Sequence, residues 1–289
     1  MVLLSTVIYG ITPAIVTASR GDVPVLDMIV YRSAVAALLF AVLDRLRRSR
    51  RAGPSRAAGP SRHRGILLGA VLWGPQVLLF YGSFAFIDTS LAVAISFVYP
   101  SLVLLAGPLA ARRRPSPLDL TLSLLALIGI AALLLPGGAG GVHVVGVCLA
   151  LLAAVGYAGY VLGADRLLQG ARPFELGAQI SFGALLWTAG VGLALQRLSV
   201  LGDPRDWLLV GANAVLMVAA TSCYYGGLTR LGSGRASLLD SLQPVVALAA
   251  GSILLGESMV VTQVLGVALV VASVAASSVV ARRNAEARR

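Results

Sequence analysis

Two charged residues sit inside long apolar runs, and they set the chemistry open to this chain. Asp240 is the only carboxylate well inside such a run, in ASLLDSLQPVV, and Arg32 is the only cation, in MIVYRSAVAALL. An ionisable group held in hydrocarbon is costly and marks a substrate or ion path by default. Asp240 suits a bound cation or an exchangeable proton. Its alternatives are a helix-start position nearer an interface, or an ion pair with Arg235. Arg32 suits an anionic ligand group, or else it snorkels outward, pairs with Asp27 or ties helices together.

Around these two charges stand neutral groups that hydrogen-bond and stack: Gln76, Tyr81 and Tyr99 in the first half, Tyr224, Tyr225 and Gln243 in the second. Flat amphipathic rings with a few polar atoms suit a small, partly apolar ligand; anchoring or packing is the alternative for each tyrosine. Trp73, Gln179 and Asn213 are weaker candidates of the same kind. Pro100 and Pro244 each lie about nine residues into an apolar run, roughly 14 Å deep at 1.5 Å per residue. Proline has no N–H, so each frees the carbonyl four residues earlier, on Ser96 and Asp240. A freed carbonyl at that depth is tolerated facing protein or a wet cavity, which makes the two prolines candidate lining. An ordinary packing kink is the alternative.

The elements that position these groups must be membrane spans. The hydrophobic share is 58% and the charged share 12%, and the mean hydropathy is +0.89. A soluble domain carries about a quarter charged residues, so lipid is the expected solvent. A span needs about 20 apolar residues. Ten fit, over 2–18, 25–43, 65–86, 90–110, 118–136, 143–164, 174–195, 207–227, 236–256 and 260–281. The first is read as an uncleaved helix, short and carrying Pro13, because no basic segment precedes it.

All 23 basic residues are arginine, and the net charge is +11. In a soluble chain that balance would point to nucleic acid; here it follows membrane sidedness. Nineteen arginines fall in alternate connections, chiefly in the basic loop that follows Asp44, in Arg112–Arg114 and in the tail. Only Arg20, Arg197 and Arg205 lie opposite. The positive-inside rule then places both termini in the cytoplasm and requires an even number of spans.

The two halves also resemble each other. Shifted by 144 residues, FYGSFAFIDTSLAVAISFVYP from Phe80 lies over YYGGLTRLGSGRASLLDSLQP from Tyr224, pairing Tyr81 with Tyr225, Gly82 with Gly226 and Pro100 with Pro244. Five spans per repeat is an odd number, so the second copy inserts upside down. Inverted repeats are the signature of secondary transporters, with the site between the halves near the midplane. The expected fold is an all-α integral membrane protein of ten transmembrane helices in two inverted-topology five-helix repeats. The repeats are read as 1–141 and 142–281, followed by a basic cytoplasmic tail at 282–289.

Enzyme signals are missing: no HExxH, GxSxG or Walker motif occurs. His63 and His143 stand in connections, without partners in sequence. Cys148 and Cys223 lie in apolar runs without metal or redox spacing and read as buried small hydrophobes. Glu257 reads as a cap at the start of the last helix. The glycines Gly156, Gly159 and Gly163 permit close helix approach. No cofactor is called for. With no ATP-binding segment, transport would be passive or driven by an ion gradient, with protons the simplest candidate. The expected function is efflux of a small organic metabolite, amino-acid-like or drug-like, across the inner membrane by alternating access; the alternatives are a metabolite uptake permease and a non-transporting accessory or sensory membrane protein.

YRSAVAALL from Tyr31, SLAVAISFVYPSLVLLAGPL before Arg112, and RASLLDSLQPVVALAAGSILLGESMVVTQVLGVALVVASV from Arg235 resemble the EamA-like branch of the drug/metabolite transporter superfamily. The last stretch carries Pro244, Gly256-Glu257, Gln263 and Gly266 at that family's spacing. One departure is Arg113, where the family commonly has a glutamate. The resemblance implies a ten-helix inner-membrane permease exporting or importing small metabolites such as amino acids. Its cavity would be enclosed mainly by the third, fourth, eighth and ninth helices.

Overall fold

A computed structural model describes residues 1–18, 23–50, 62–110, 143–240 and 242–256, with shorter pieces between 117 and 129 and between 261 and 276. The described residues are helical, with no strand among them. The helices are α1 (Val2–Ala18), α2 (Val25–Arg50), α3 (Arg62–Leu68), α4 (Gly74–Ser83), α5 (Thr89–Ser96), α6 (Tyr99–Ala110), α7 (Val144–Leu168), α8 (Pro173–Ala194), α9 (Pro204–Asp240) and α10 (Gln243–Leu255). Among the described residues, five stretches are long and apolar enough to cross a membrane: Val25–Arg47, His63–Ser83, Val144–Leu168, Pro173–Ala194 and Pro204–Gly234. Val2–Thr17, Leu91–Gly107 and Gln243–Leu255 are shorter apolar helices. Most of the fifth expected span and half of the tenth, with Glu257, Gln263 and Arg113, fall outside the described residues.

Backbone chemistry explains where the helices break. A π turn, Gly69–Trp73, joins α3 to α4, and the Gly74 N–H reaches back to the Gly69 carbonyl. Pro75, one residue on, has no N–H for the Val71 carbonyl, so the ordinary i to i−4 ladder cannot pass this point. The expected span at 90–110 is two half-helices, since α5 stops at Ser96 and α6 restarts at Tyr99 with Pro100 as its second residue. The matching break separates Asp240 from α10, which has Pro244 in its first turn. The prolines therefore start new helices rather than kinking continuous ones. Gly232, at φ 75 and ψ 167, interrupts α9 in a backbone region that a side chain would strain. The Asp165 carboxylate accepts hydrogen bonds from the N–H and hydroxyl of Ser233 beside it.

Small residues set the closest approaches. A Cβ at Gly183 on α8 would fall onto the Ile66 carbonyl of α3, and one at Gly69 onto the Ile180 carbonyl. Along α7 the expected stripe is used: Gly156, Gly159 and Gly163 face Gln76, Leu72 and Leu68 in turn. Gly183→Val should lower stability by about 1–3 kcal/mol through overpacking. Thermal unfolding in detergent checks this, and an unchanged Tm would remove the close α3–α8 packing.

Side chains such as Leu38, Leu67, Leu152 and Ile253 are exposed and apolar, as lipid contact requires. The cysteines depart from the expectation. Cys148 is exposed and Cys223 only partly buried, because an apolar position in a membrane helix can face lipid as well as protein.

Candidate functional site

Helices from both halves of the chain enclose a cavity of about 100 Å³. Its wall includes Tyr9, Thr12 and Pro13 of α1, Arg32 of α2, Trp73 to Tyr81 around α4, and Val93 to Tyr99 across the first break. Ala153 and Tyr157 of α7, Met217 of α9 and Gln243 of α10 complete it. Pro13, inside α1, withholds an N–H from the Tyr9 carbonyl. The Tyr9 hydroxyl lies 2.6 Å from that of Thr221.

Arg32 is 5% exposed. Its Nη1 donates to the Tyr81 hydroxyl and to Asn213 Oδ1, each at 3.1 Å. The guanidinium carbon stands 4.9 Å from the Tyr81 ring centroid. Nε has no hydrogen-bond partner among the described residues. The expected alternative of an Arg32–Asp27 pair is not what forms: Asp27 accepts from the backbone N–H and hydroxyl of Ser199. Among the described residues no carboxylate neutralises Arg32. A buried cation held only by neutral groups is an electrostatic sink for an anion, because burial leaves little solvent to screen it.

On the opposite side of the wall, Tyr99 donates to Asp240 Oδ2 at 2.8 Å, and Thr6 donates to Oδ1 at 2.9 Å. Asp240 is fully buried. It ends a helix rather than starting one. Tyr99 and Asp240 flank the first and second breaks, so one hydrogen bond ties the two breaks together. Aromatic rings continue from there: Tyr99 meets Tyr157 edge-on at 4.5 Å, and Trp73 packs against Tyr160 at 4.5 Å with the rings tilted by 44°. The Tyr160 and Tyr225 hydroxyls are 2.8 Å apart.

Of the residues singled out in the sequence, Arg32, Gln76, Tyr81, Tyr99 and Gln243 reach the cavity wall. Gln76 is 8% exposed, and its Oε1 has no hydrogen-bond partner among the described residues. Asp240 stands behind Tyr99 rather than in the wall. Tyr224 and Tyr225 are buried in the surrounding core, and Pro100 and Pro244 act on the backbone beside the cavity. Trp73 belongs to the wall, Asn213 holds Arg32, and Gln179 lies elsewhere, between α2 and α8. Sequence reading missed Tyr9, Thr12, Phe80, Phe97 and Tyr157. Pro13, a third mid-run proline, and Tyr157, inside the glycine stripe of α7, were the available signals.

The EamA-like transporter family matches the chain twice, over residues 1–135 and 144–279. The threonine/homoserine exporter RhtA of Escherichia coli K12 is 28% identical over 227 residues, covering 76% of this chain and 73% of that protein. An uncharacterized inner membrane transporter, YicL of Salmonella typhimurium LT2, is 28% identical over 208 residues, covering 69% and 67%. A solved crystal structure with 20% identity aligns over 97% of each chain at a TM-score of 0.69, and so shares the fold. Members of this family are transporters, not enzymes. With apolar helices throughout and the family model matching both halves, the chain belongs to the EamA-like transporter family and is a multi-pass membrane transporter.

Proposed function

We propose that this transporter exports a small amino-acid-like metabolite by alternating access. The carrying observation is a cavity whose wall holds a buried arginine and a buried glutamine oxygen that have, among the described residues, no counter-ion and no hydrogen-bond partner respectively. A carboxylate supplies the anion Arg32 lacks. A substrate ammonium donates to Gln76 Oε1 and rests against the faces of Trp73 and Tyr157, where cations are favoured. Tyr81, Tyr99 and Gln243 shape the remainder, while Tyr224, Tyr225, Pro100 and Pro244 support it from behind. Asp240 carries the coupling proton.

The architecture behind this reading is ten spans in two inverted repeats, 1–141 and 142–281, in the inner membrane with both termini cytoplasmic. Supporting it are the paired breaks at matched positions, the arginine asymmetry and the similarity to an inner membrane transporter. Export is favoured by the similarity to a threonine/homoserine exporter.

Purified protein in liposomes tests this with threonine and homoserine as probes. Saturable exchange of either, blocked by excess unlabelled substrate, is expected. Flux absent for amino acids and for a broader set of small zwitterions would leave an accessory membrane protein as the reading. Accumulation driven by an inward proton gradient in a fixed orientation would make it an uptake permease.

A further inference from the structure

Of the two residues that hold Arg32, Tyr81 lines the cavity and Asn213 does not. Asn213 stands behind the wall on α9, one turn before Met217, which does line it. Asn213 is 2% exposed, and its Oδ1 accepts from Arg32 Nη1 at 3.1 Å. Nη1 carries two N–H bonds, one for Tyr81 and one for Asn213. Because the guanidinium is planar, holding Nη1 at two points sets the direction of the remaining N–H bonds. Among these, the Nε–H is buried and has no partner among the described residues. Arg32 is thereby held in one orientation with a donor to spare.

The amide also decides the charge of this corner. Arginines this deeply buried ordinarily stand against a carboxylate, and aspartate has nearly the size and shape of asparagine. With Oδ1 on the guanidinium the amide is oriented, because a flipped amide would set its NH₂ against Nη1, donor to donor. Asn213 Nδ2 is then left over, and it too is buried without a partner among the described residues. Both spare buried atoms of the pair, Arg32 Nε and Asn213 Nδ2, are thus donors. An aspartate at this position would cancel the cation. A hydrocarbon side chain would release Nη1 but leave the charge. The side chain at 213 therefore sets the charge of a cavity whose wall it does not join.

We propose that Asn213 is the charge-selecting residue of this transporter. It positions Arg32 through a neutral acceptor and so keeps the cation uncompensated, ready for a substrate carboxylate. This rests on the reading that the cavity takes a carboxylate-bearing substrate, and it adds the residue that determines the preference.

Ligand-induced thermal stabilisation of the detergent-purified full chain tests it. The probes are threonine, homoserine, leucine and phenylalanine, each beside its methyl ester. The unsubstituted chain is expected to bind at least one free acid more tightly than its ester. Asn213→Asp should lower that preference about ten- to a hundredfold, the worth of a charge-assisted hydrogen bond. Its ligand-free Tm should rise, since the change pairs a buried cation. Asn213→Leu should weaken acid binding about three- to tenfold through lost positioning and keep the preference, because the charge remains. A purely structural residue would weaken acid and ester alike in both variants. Full acid preference in a folded Asn213→Asp overturns the proposal and leaves the role of Arg32 standing. Undiminished acid binding in Asn213→Leu overturns the positioning role, even if Asn213→Asp does not fold. No acid preference in the unsubstituted chain sinks the carboxylate reading itself, and this inference with it.

Discussion

Arg32→Ala should raise the KM for a carboxylate-bearing substrate about ten- to a hundredfold, since a charge-assisted hydrogen bond contributes roughly 1.5–3 kcal/mol. The change removes the cation from the cavity wall and releases Tyr81 and Asn213 from Nη1. Loss of packing alone would also weaken transport, so the decisive readout is chemical selectivity. The unsubstituted transporter should discriminate an amino acid from its methyl ester; Arg32→Ala should treat the two alike. Arg32→Lys restores charge without the planar fork that reaches Tyr81, Asn213 and a ligand together, and should recover part of the affinity. Undiminished preference for the free acid in Arg32→Ala would move the carboxylate site elsewhere.

Asp240 is expected to separate stability from coupling. Asp240→Ala leaves the Tyr99 and Thr6 hydroxyls without their acceptor in a buried place, costing about 1–3 kcal/mol per orphaned group. Its Tm should fall by several degrees. Asp240→Asn is nearly isosteric and keeps one carbonyl oxygen for Tyr99, so the fold should hold. Without an exchangeable carboxyl proton, however, concentrative flux should drop at least about tenfold while substrate exchange at equal pH persists. Measuring both fluxes on one preparation distinguishes a coupling role from a structural one. Equal concentrative flux in Asp240→Asn and the unsubstituted protein would sink the proton assignment.

The helical, lipid-facing character of the chain was legible because hydrophobicity along a run needs no tertiary knowledge. The broken helices at Pro100 and Pro244 were half legible. Proline announces a lost hydrogen bond, but whether a helix bends or ends depends on what packs around it, and here each proline opens a new helix. Arg32 and Asp240 stood out because charge in an apolar run is conspicuous. Their partners did not, since Asn213 and Thr6 lie far away in sequence and resemble any other polar residue in a span. Asp27 was the nearest acid to Arg32 along the chain, yet Ser199, from the connection after α8, takes it instead. The aromatic wall shows the same limit. Tyr157 and Phe97 look like lipid-facing or packing rings until the folded helices bring them to one space.

Gly232 divides α9 between the two polar clusters: Asn213, which steadies Arg32, lies before it, and Asp240 lies after it. Just past it, Ser233 is held to the Asp165 carboxylate of α7, so the stretch that carries Asp240 has its own anchor, separate from the one that carries Asn213. On the proposed reading, substrate grip and proton carriage would sit on two separately anchored parts of one element, the second of them clamped by Tyr99 and Thr6 from the other half.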